Sequence, residues 1–354
     1  MFLSLSIPVT QNVPGEGIEI NVKGKWTKVP ALTVGQETVV VRGGWIKLAM
    51  IHDEEWLEGE IKDPALWVKT LKQRGLQGIR PDIFTFTQKL PASEPKYGYP
   101  MEWTSIAAIH LQGFKGWWEK LPQETRKNVR RSQKRGVVVS VKAFDQELVT
   151  HISRVNNDSP VRQGMRNLHY GKSLDQVTRD YSAFVDRSDF ICACLGDEVI
   201  GFLKLVYRGE VASILNLTTM HSHADKRPAN ALVEKAVALC DAKGISHITF
   251  GQFNYGNKRE SPLREFKIRS GFEEILKPKF YVPLTAWGAI CMKANLHRGL
   301  LGILPHRAIT LGVAARAKCY DLKDAVMSRC SSMLERPNCD RQMGRSNPPA
   351  GSKS

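Results

Sequence analysis

Between residues 189 and 219 the chain alternates apolar runs with two-residue turns. The runs 189–195, 198–207 and 211–219 are rich in Ile, Leu, Val, Phe and Cys, and Gly196 and Gly209 stand in the gaps. Short glycine turns between such runs join neighbouring antiparallel strands, which predicts a three-strand meander. A polar stretch, 221–227, leads to Pro228. From there Ala231, Val233, Ala236, Val237 and Cys240 recur at helical spacing up to a stop at Gly244. Residues 245–250 read as a strand, 261–270 as a helix and 280–284 as a last strand.

The first half is less regular. Residues 36–51 and 81–90 read as strands rich in Val, Ile, Phe and Thr, with a helical candidate over 52–72 between them. The prolines and glycine of 93–100 mark a loop, and 103–111 returns to a strand pattern. Pro122 suits a first helical turn and Gly136 a helix stop. Between them, 126–135 carries six basic residues and no acidic one. Residues 137–141 read as a strand entering a second domain. Cys192 and Cys194, two apart in a strand, face one side and read as small core residues.

At ~100–200 residues per domain, 354 residues with 42% hydrophobic content predict two domains. Lys and Arg number 51 against 35 acidic residues, a net charge of +16, which favours phosphorylated substrates, nucleic acid or anionic membrane as partners. No basic stretch precedes an apolar run at the N-terminus, none of the seven cysteines forms a CxxC pair, and no apolar run reaches the ~18 residues of a bilayer span. These features predict a reducing, cytoplasmic setting. Residues 286–354 hold 11 basic and 4 acidic residues and end in SNPPAGSKS, which reads as a partly disordered basic tail. Its first part, 286–325, interleaves Trp287, Ile290, Leu300 and Leu304 with Lys293, Arg298, Arg307 and Arg316. That mixture is the make-up of an interfacial segment, which predicts either peripheral attachment to the inner face of an anionic membrane or packing of these apolar residues on the second domain.

The string LPQETRKNVRRSQKRGV, with its Arg-rich helix and Lys-x-Gly stop, resembles the signature of the FemAB-type, GNAT-like acyltransferases. Two further pieces resemble that group: Gly251 after the strand ITFG, and Phe266-Lys267 ahead of Ser270-Gly271-Phe272. The match covers roughly residues 100–285. It implies an α/β (mixed α+β) fold of two tandem GNAT-like domains, the second with splayed central strands, here 211–219 and 245–250. The domains expected are 1–135, degenerate and ending in the basic helix; 136–285, catalytic; and the tail. It also implies transfer of an acyl or aminoacyl group from acyl-CoA or aminoacyl-tRNA to an amine or hydroxyl of a phosphorylated or lipid-linked envelope or polysaccharide precursor.

The resemblance places Lys267 at the donor–acceptor junction, where an ammonium stabilises a developing oxyanion. Tyr255, in a loop nearby, is the second catalytic candidate, as a proton donor or pocket lining. Lys226, Arg227 and Asn230 precede or open the 228 helix, a natural anion site and so the donor site. The glycine loop usual in GNAT enzymes is missing there, and Pro228 lacks an N–H. Arg126, Arg130 and Lys134 recur every four residues and are assigned to acceptor phosphates. Trp117 and Trp118 are expected to pack the domain junction. His221, His223 and Asp225 share one loop, too little for a zinc site, and no metal is predicted. Two rivals fit the charge: a basic nucleic-acid-binding protein, against which no recognition motif is present, and a non-catalytic GNAT-like scaffold at a membrane.

Overall fold

The computed structural model describes residues 17–298, apart from 23–24, 35–36, 53–59, 163–164 and 255–260. Residues up to His297 make one compact unit and Arg298–Ser354 a second; the tail beyond residue 298, including most of the predicted membrane segment, lies outside the described residues. So does Tyr255.

A hairpin, β1 (Ile18–Val22) and β2 (Lys25–Val29), opens the unit. There follow β3 (Ala31–Val34), β4 (Glu37–Arg42), β5 (Leu48–Ile51), α1 (Pro64–Arg74), β6 (Ile83–Thr87) and β7 (Met101–His110). Next come α2 (Phe114–Lys120), α3 (Gln123–Lys134), β8 (Val137–Lys142), α4 (Gln146–Asn157), the short strands β9 (Val161–Arg162) and β10 (Met165–Arg166), and α5 (Leu174–Tyr181). The meander is β11 (Ser188–Leu195), β12 (Glu198–Arg208) and β13 (Val211–Thr219). A 3₁₀ turn, His221–Lys226, leads to α6 (Pro228–Ala242), β14 (His247–Thr249), α7 (Pro262–Arg269), β15 (Glu273–Pro283) and α8 (Ala286–Lys293).

Eleven strands form one sheet in the order β3-β4-β5-β6-β15-β7-β14-β13-β12-β11-β8. The expected boundary at 135/136 therefore falls inside a continuous sheet. Two cores flank its middle. The larger joins Ala107, Ile109, Trp117 and Leu121 to the meander, α4, α5 and α6. The smaller joins Val39, Ala49, Trp67, Leu71, Phe84 and Phe86 to Phe280 and Val282. The two halves trade strands: β15, late in the chain, pairs antiparallel with both β6 and β7.

The strand over 36–51 is interrupted, because Gly43 takes φ +98° and the chain turns through 43–47 before resuming as β5. The last strand is longer than its apolar pattern. Residues Glu273 and Glu274, too polar to read as strand, are held by pairing with Ala108 and Ala107. Residues 286–293, expected to begin the tail, form a helix seated on the first half. A Cβ at Gly288 would stand 2.0 Å from the Asp82 carbonyl oxygen, so only glycine permits that approach. Cys291 is buried beside it, and Trp287 packs edge-on against Trp45 with ring centroids 5.3 Å apart.

Candidate functional site

The two strands named from sequence do part. β13 and β14 run parallel but pair only at Val211–His247, Ala212–Ile248 and Ser213–Thr249, although β13 continues to Thr219. The ladder between β12 and β13 shifts register between Lys204 and Leu205, leaving Leu215 as the extra residue of a bulge. A bulge turns its strand away from a neighbour. Beyond it residues 215–219 are only half-buried, lining the open side of the split.

At the end of β13 a polar network fixes the loop over 221–227. The Asp158 carboxylate accepts the His221 N–H (2.6 Å) and the Ser222 hydroxyl (2.7 Å). Burial pushes that carboxyl up, but these hydrogen bonds outweigh it and hold Asp158 below its ordinary value. Arg162 donates to the carbonyls of Thr219 (2.9 Å) and Val155 (2.7 Å). Arg227 then takes a left-handed conformation, φ +56°, and Pro228 begins α6. Arg227 is exposed, Lys226 lies 3.6 Å from Asp225, and the Asn230 N–H is already bonded to the Arg227 carbonyl.

The basic helix meets this loop. α3 buries Thr125, Val129 and Ser132 and packs on α6, while Arg130 and Lys134 stay exposed and Arg126 half-exposed. Arg135 at its end donates to the Asp225 carbonyl (2.5 Å) and carboxylate (2.9 Å). α3, which carries the residues assigned to acceptor from sequence, and α6, at whose start those assigned to donor stand, are thus packed together, with the end of α3 tied to the loop ahead of α6. His223 faces Glu198 at 3.4 Å, and among the described residues no cluster of His, Cys, Asp and Glu suits a metal ion.

At the other side of the split the chain leaves β14 through Phe250–Asn254 and returns as α7. Ser261 caps that helix by accepting the Arg264 N–H at 3.1 Å, with Pro262 at its first turn. Lys267 is fully buried; its Nζ donates to the Gln252 carbonyl at 2.6 Å and stands 4.8 Å from the centre of the Phe250 ring. Burial lowers its pKa from 10.5 to about 8, leaving it mostly protonated at neutral pH. The Ser270-Gly271-Phe272 turn is locked by Trp117, whose indole N–H donates to the Ser270 carbonyl at 3.1 Å. Trp117 is buried where the chain passes from β7 into the second half, while Trp118 packs partly buried beside it.

Sequence reasoning passed over Lys204, Asp158, Arg162 and Arg264. Lys204 is fully buried, donates to the carbonyls of Tyr181 (2.7 Å) and Ala183, and is likewise brought down to about 8 by burial. Its signal was present: a charged residue at a core position of an otherwise apolar strand.

No protein-family model and no curated protein sequence matches the chain. Among solved structures it is similar to FemX, with a TM-score of 0.53 at 11% identity over 75% of this chain and 87% of that one. It is also similar to the C-terminal domain of a putative lysylphosphatidylglycerol synthetase from Agrobacterium fabrum, with a TM-score of 0.49, 13% identity and coverage of 73% and 85%. The chain therefore shares its overall fold with FemX, a mixed α/β fold as expected from the sequence. Within it the particular chain is marked by a proline-headed α6, an arginine-rich α3 tied to the loop ahead of α6, and two fully buried lysines, Lys204 and Lys267.

Proposed function

We propose that this protein is an acyl- or aminoacyltransferase that moves an activated acyl group onto an amine or hydroxyl of a cell-envelope or polysaccharide precursor. The observation that carries the reading is the β13/β14 split, flanked on one side by the start of α6 and on the other by Lys267. A donor carbonyl in the split meets an acceptor nucleophile, and attack forms a tetrahedral intermediate whose oxyanion the Lys267 ammonium stabilises; its collapse breaks the acyl bond to the donor, and the departing thiol or ribose hydroxyl carries away the proton that the nucleophile loses. An acceptor amine, once deprotonated, needs orientation more than activation. Tyr255, the residue that follows Asn254 in the sequence, is retained as a second contributor.

Between the two donors, aminoacyl-tRNA is the better match. Pro228 removes one of the N–H groups that would meet coenzyme A phosphates, whereas the adjoining face of Arg126, Arg130, Lys134, Lys226 and Arg227 suits a long polyanion. In this assignment the basic helix, given to acceptor phosphates from sequence, serves the donor together with Asn230. No helix among the described residues is long and apolar enough to cross a membrane, and a cytoplasmic enzyme working at the membrane's inner face fits a lipid-linked acceptor.

A thermal-shift screen against acyl-CoAs and charged tRNAs tests the reading. A true donor at 100 times its dissociation constant stabilises the fold by about 2.7 kcal/mol. Absence of any shift with every donor in both classes rejects it.

A further inference from the structure

Arg264 and Lys267 lie three residues apart on α7 and so project from one side of the helix. They face the turn after β14, where Phe250 and Phe253 are also three apart. Lys267 stands over Phe250, and the Arg264 guanidinium over Phe253, 5.0 Å from its ring centre. The Arg264 Nε is buried and has no acceptor, and the guanidinium makes no hydrogen bond or ion pair among the described residues.

Among the described residues, Glu265 and Glu274 are committed elsewhere. Glu265, the next residue, pairs with Arg269. Glu274 accepts the Asn254 side-chain amide at 3.0 Å, which leaves the Asn254 Oδ1 buried and without a donor. A half-buried guanidinium with only an aromatic face beneath it has lost part of its hydration and gained no anion in return. Arginine presents its donors in a fixed fork that matches two oxygens of a carboxylate or phosphate.

We propose that Arg264 is a specificity-determining residue that binds an oxyanion group of the substrate, phosphate or carboxylate, beside the reacting centre at Lys267. The location "beside the reacting centre" rests on the transferase reading; the oxyanion site itself does not. Asn254 Oδ1 adds one acceptor for a hydroxyl of the same ligand.

The test uses arginine-specific modification of the full chain by phenylglyoxal, followed by peptide mapping, with pyrophosphate or acetate as the protecting anion. At about ten times the dissociation constant of the protecting anion, Arg264 is modified roughly tenfold more slowly, while exposed Arg74 on α1 reacts at an unchanged rate. Protection by pyrophosphate alone assigns a phosphate group, and protection by acetate a carboxylate. Protection of Arg264 no greater than that of Arg74, with both anions, overturns the proposal. Melting of Arg264→Gln gives a second readout. Removing an unpaired charge leaves the melting temperature unchanged or raises it, whereas a marked fall assigns Arg264 to packing on Phe253 and also overturns the proposal. Protection of Arg264 in a protein that transfers no acyl group keeps this site and rejects the transferase reading. Transfer without protection does the reverse.

Discussion

Arg135 reaches from the last turn of the basic helix to Asp225, holding the backbone carbonyl at 2.5 Å and the carboxylate at 2.9 Å. That pair joins two groups of basic residues 90 positions apart in sequence into one surface.

If this surface grips a polyanionic donor, reversing its charge weakens binding without disturbing the fold. The triple change Arg126→Glu, Arg130→Glu and Lys134→Glu is expected to flatten the slope of log affinity against log salt by roughly two to three, given ~0.7–0.9 per phosphate contact. Filter binding of tRNA over a salt series measures it. An unchanged slope removes α3 from the donor site.

Lys267 is expected to matter for turnover more than for stability. Lys267→Met keeps the volume of the chain but loses the charge, and turnover should fall ~10²-fold or more. The variant should melt at or above the wild-type temperature at pH 7, since a buried charge has been removed. Near-normal turnover would leave Lys267 only the role of holding the Gln252 carbonyl.

The same lysine gives a signed pH dependence. Folded, it titrates near 8; unfolded, near 10.5. Below pH 8 both states are charged and the folded state bears the full cost of a buried ammonium. Between 8 and 10.5 unfolding takes up a proton, so stability rises with pH by about 1.4 kcal/mol per unit from this group. Lys204 acts in the same direction. Cys192 and Cys240, pushed up to about 12 by burial, act oppositely above pH 9, where unfolded thiols ionise first. Denaturant melts of wild type and Lys267→Met at pH 8.0 to 9.0 isolate the lysine: the wild type gains more stability over that interval. Equal gains reject the shift.

The meander was legible in the sequence because Gly196 and Gly209 punctuate unbroken apolar runs, and α6 because its apolar spacing starts at a proline and stops at a glycine. The helix over 261–270 was legible from its local pattern, whereas Lys267 was singled out by the Phe-Lys and Ser-Gly-Phe pieces, and no local pattern told that it would be fully buried. What stayed hidden depends on partners distant in sequence. α4 and α5 join sides of the core that no local pattern reveals, and Glu273 and Glu274 become strand only because β7 lies alongside. Arg264 carries no local signal either, because the Phe253 ring beneath its guanidinium comes from the turn after β14.

Gly271 ties the motif to the junction. Its φ is +84°, and a Cβ there would stand 2.7 Å from the Trp117 indole nitrogen. Gly271→Ala therefore meets both a strained backbone and a fixed ring, and a loss of about 1–3 kcal/mol is expected by urea unfolding. A neutral substitution would mean that Trp117 moves freely.

Gly288→Ala tests the seat of α8, where the added methyl meets the Asp82 carbonyl. The helix should lift, separating Trp287 from Trp45 and red-shifting tryptophan emission. Unchanged emission would show that the contact yields without releasing the helix.

The insertion of β15 between β6 and β7 also sets an order of events during synthesis. Until residue 283 has left the ribosome, β6 and β7 face each other across an empty strand position, each exposing unpaired backbone and the apolar side chains that Phe280 and Val282 will cover. Neither half can be finished alone, and a nascent chain stalled before that strand presents a sticky slot of one strand's width. That slot stays open from the emergence of residue 110 to that of residue 283, and recombinant fragments cut at the midpoint are expected to aggregate rather than fold.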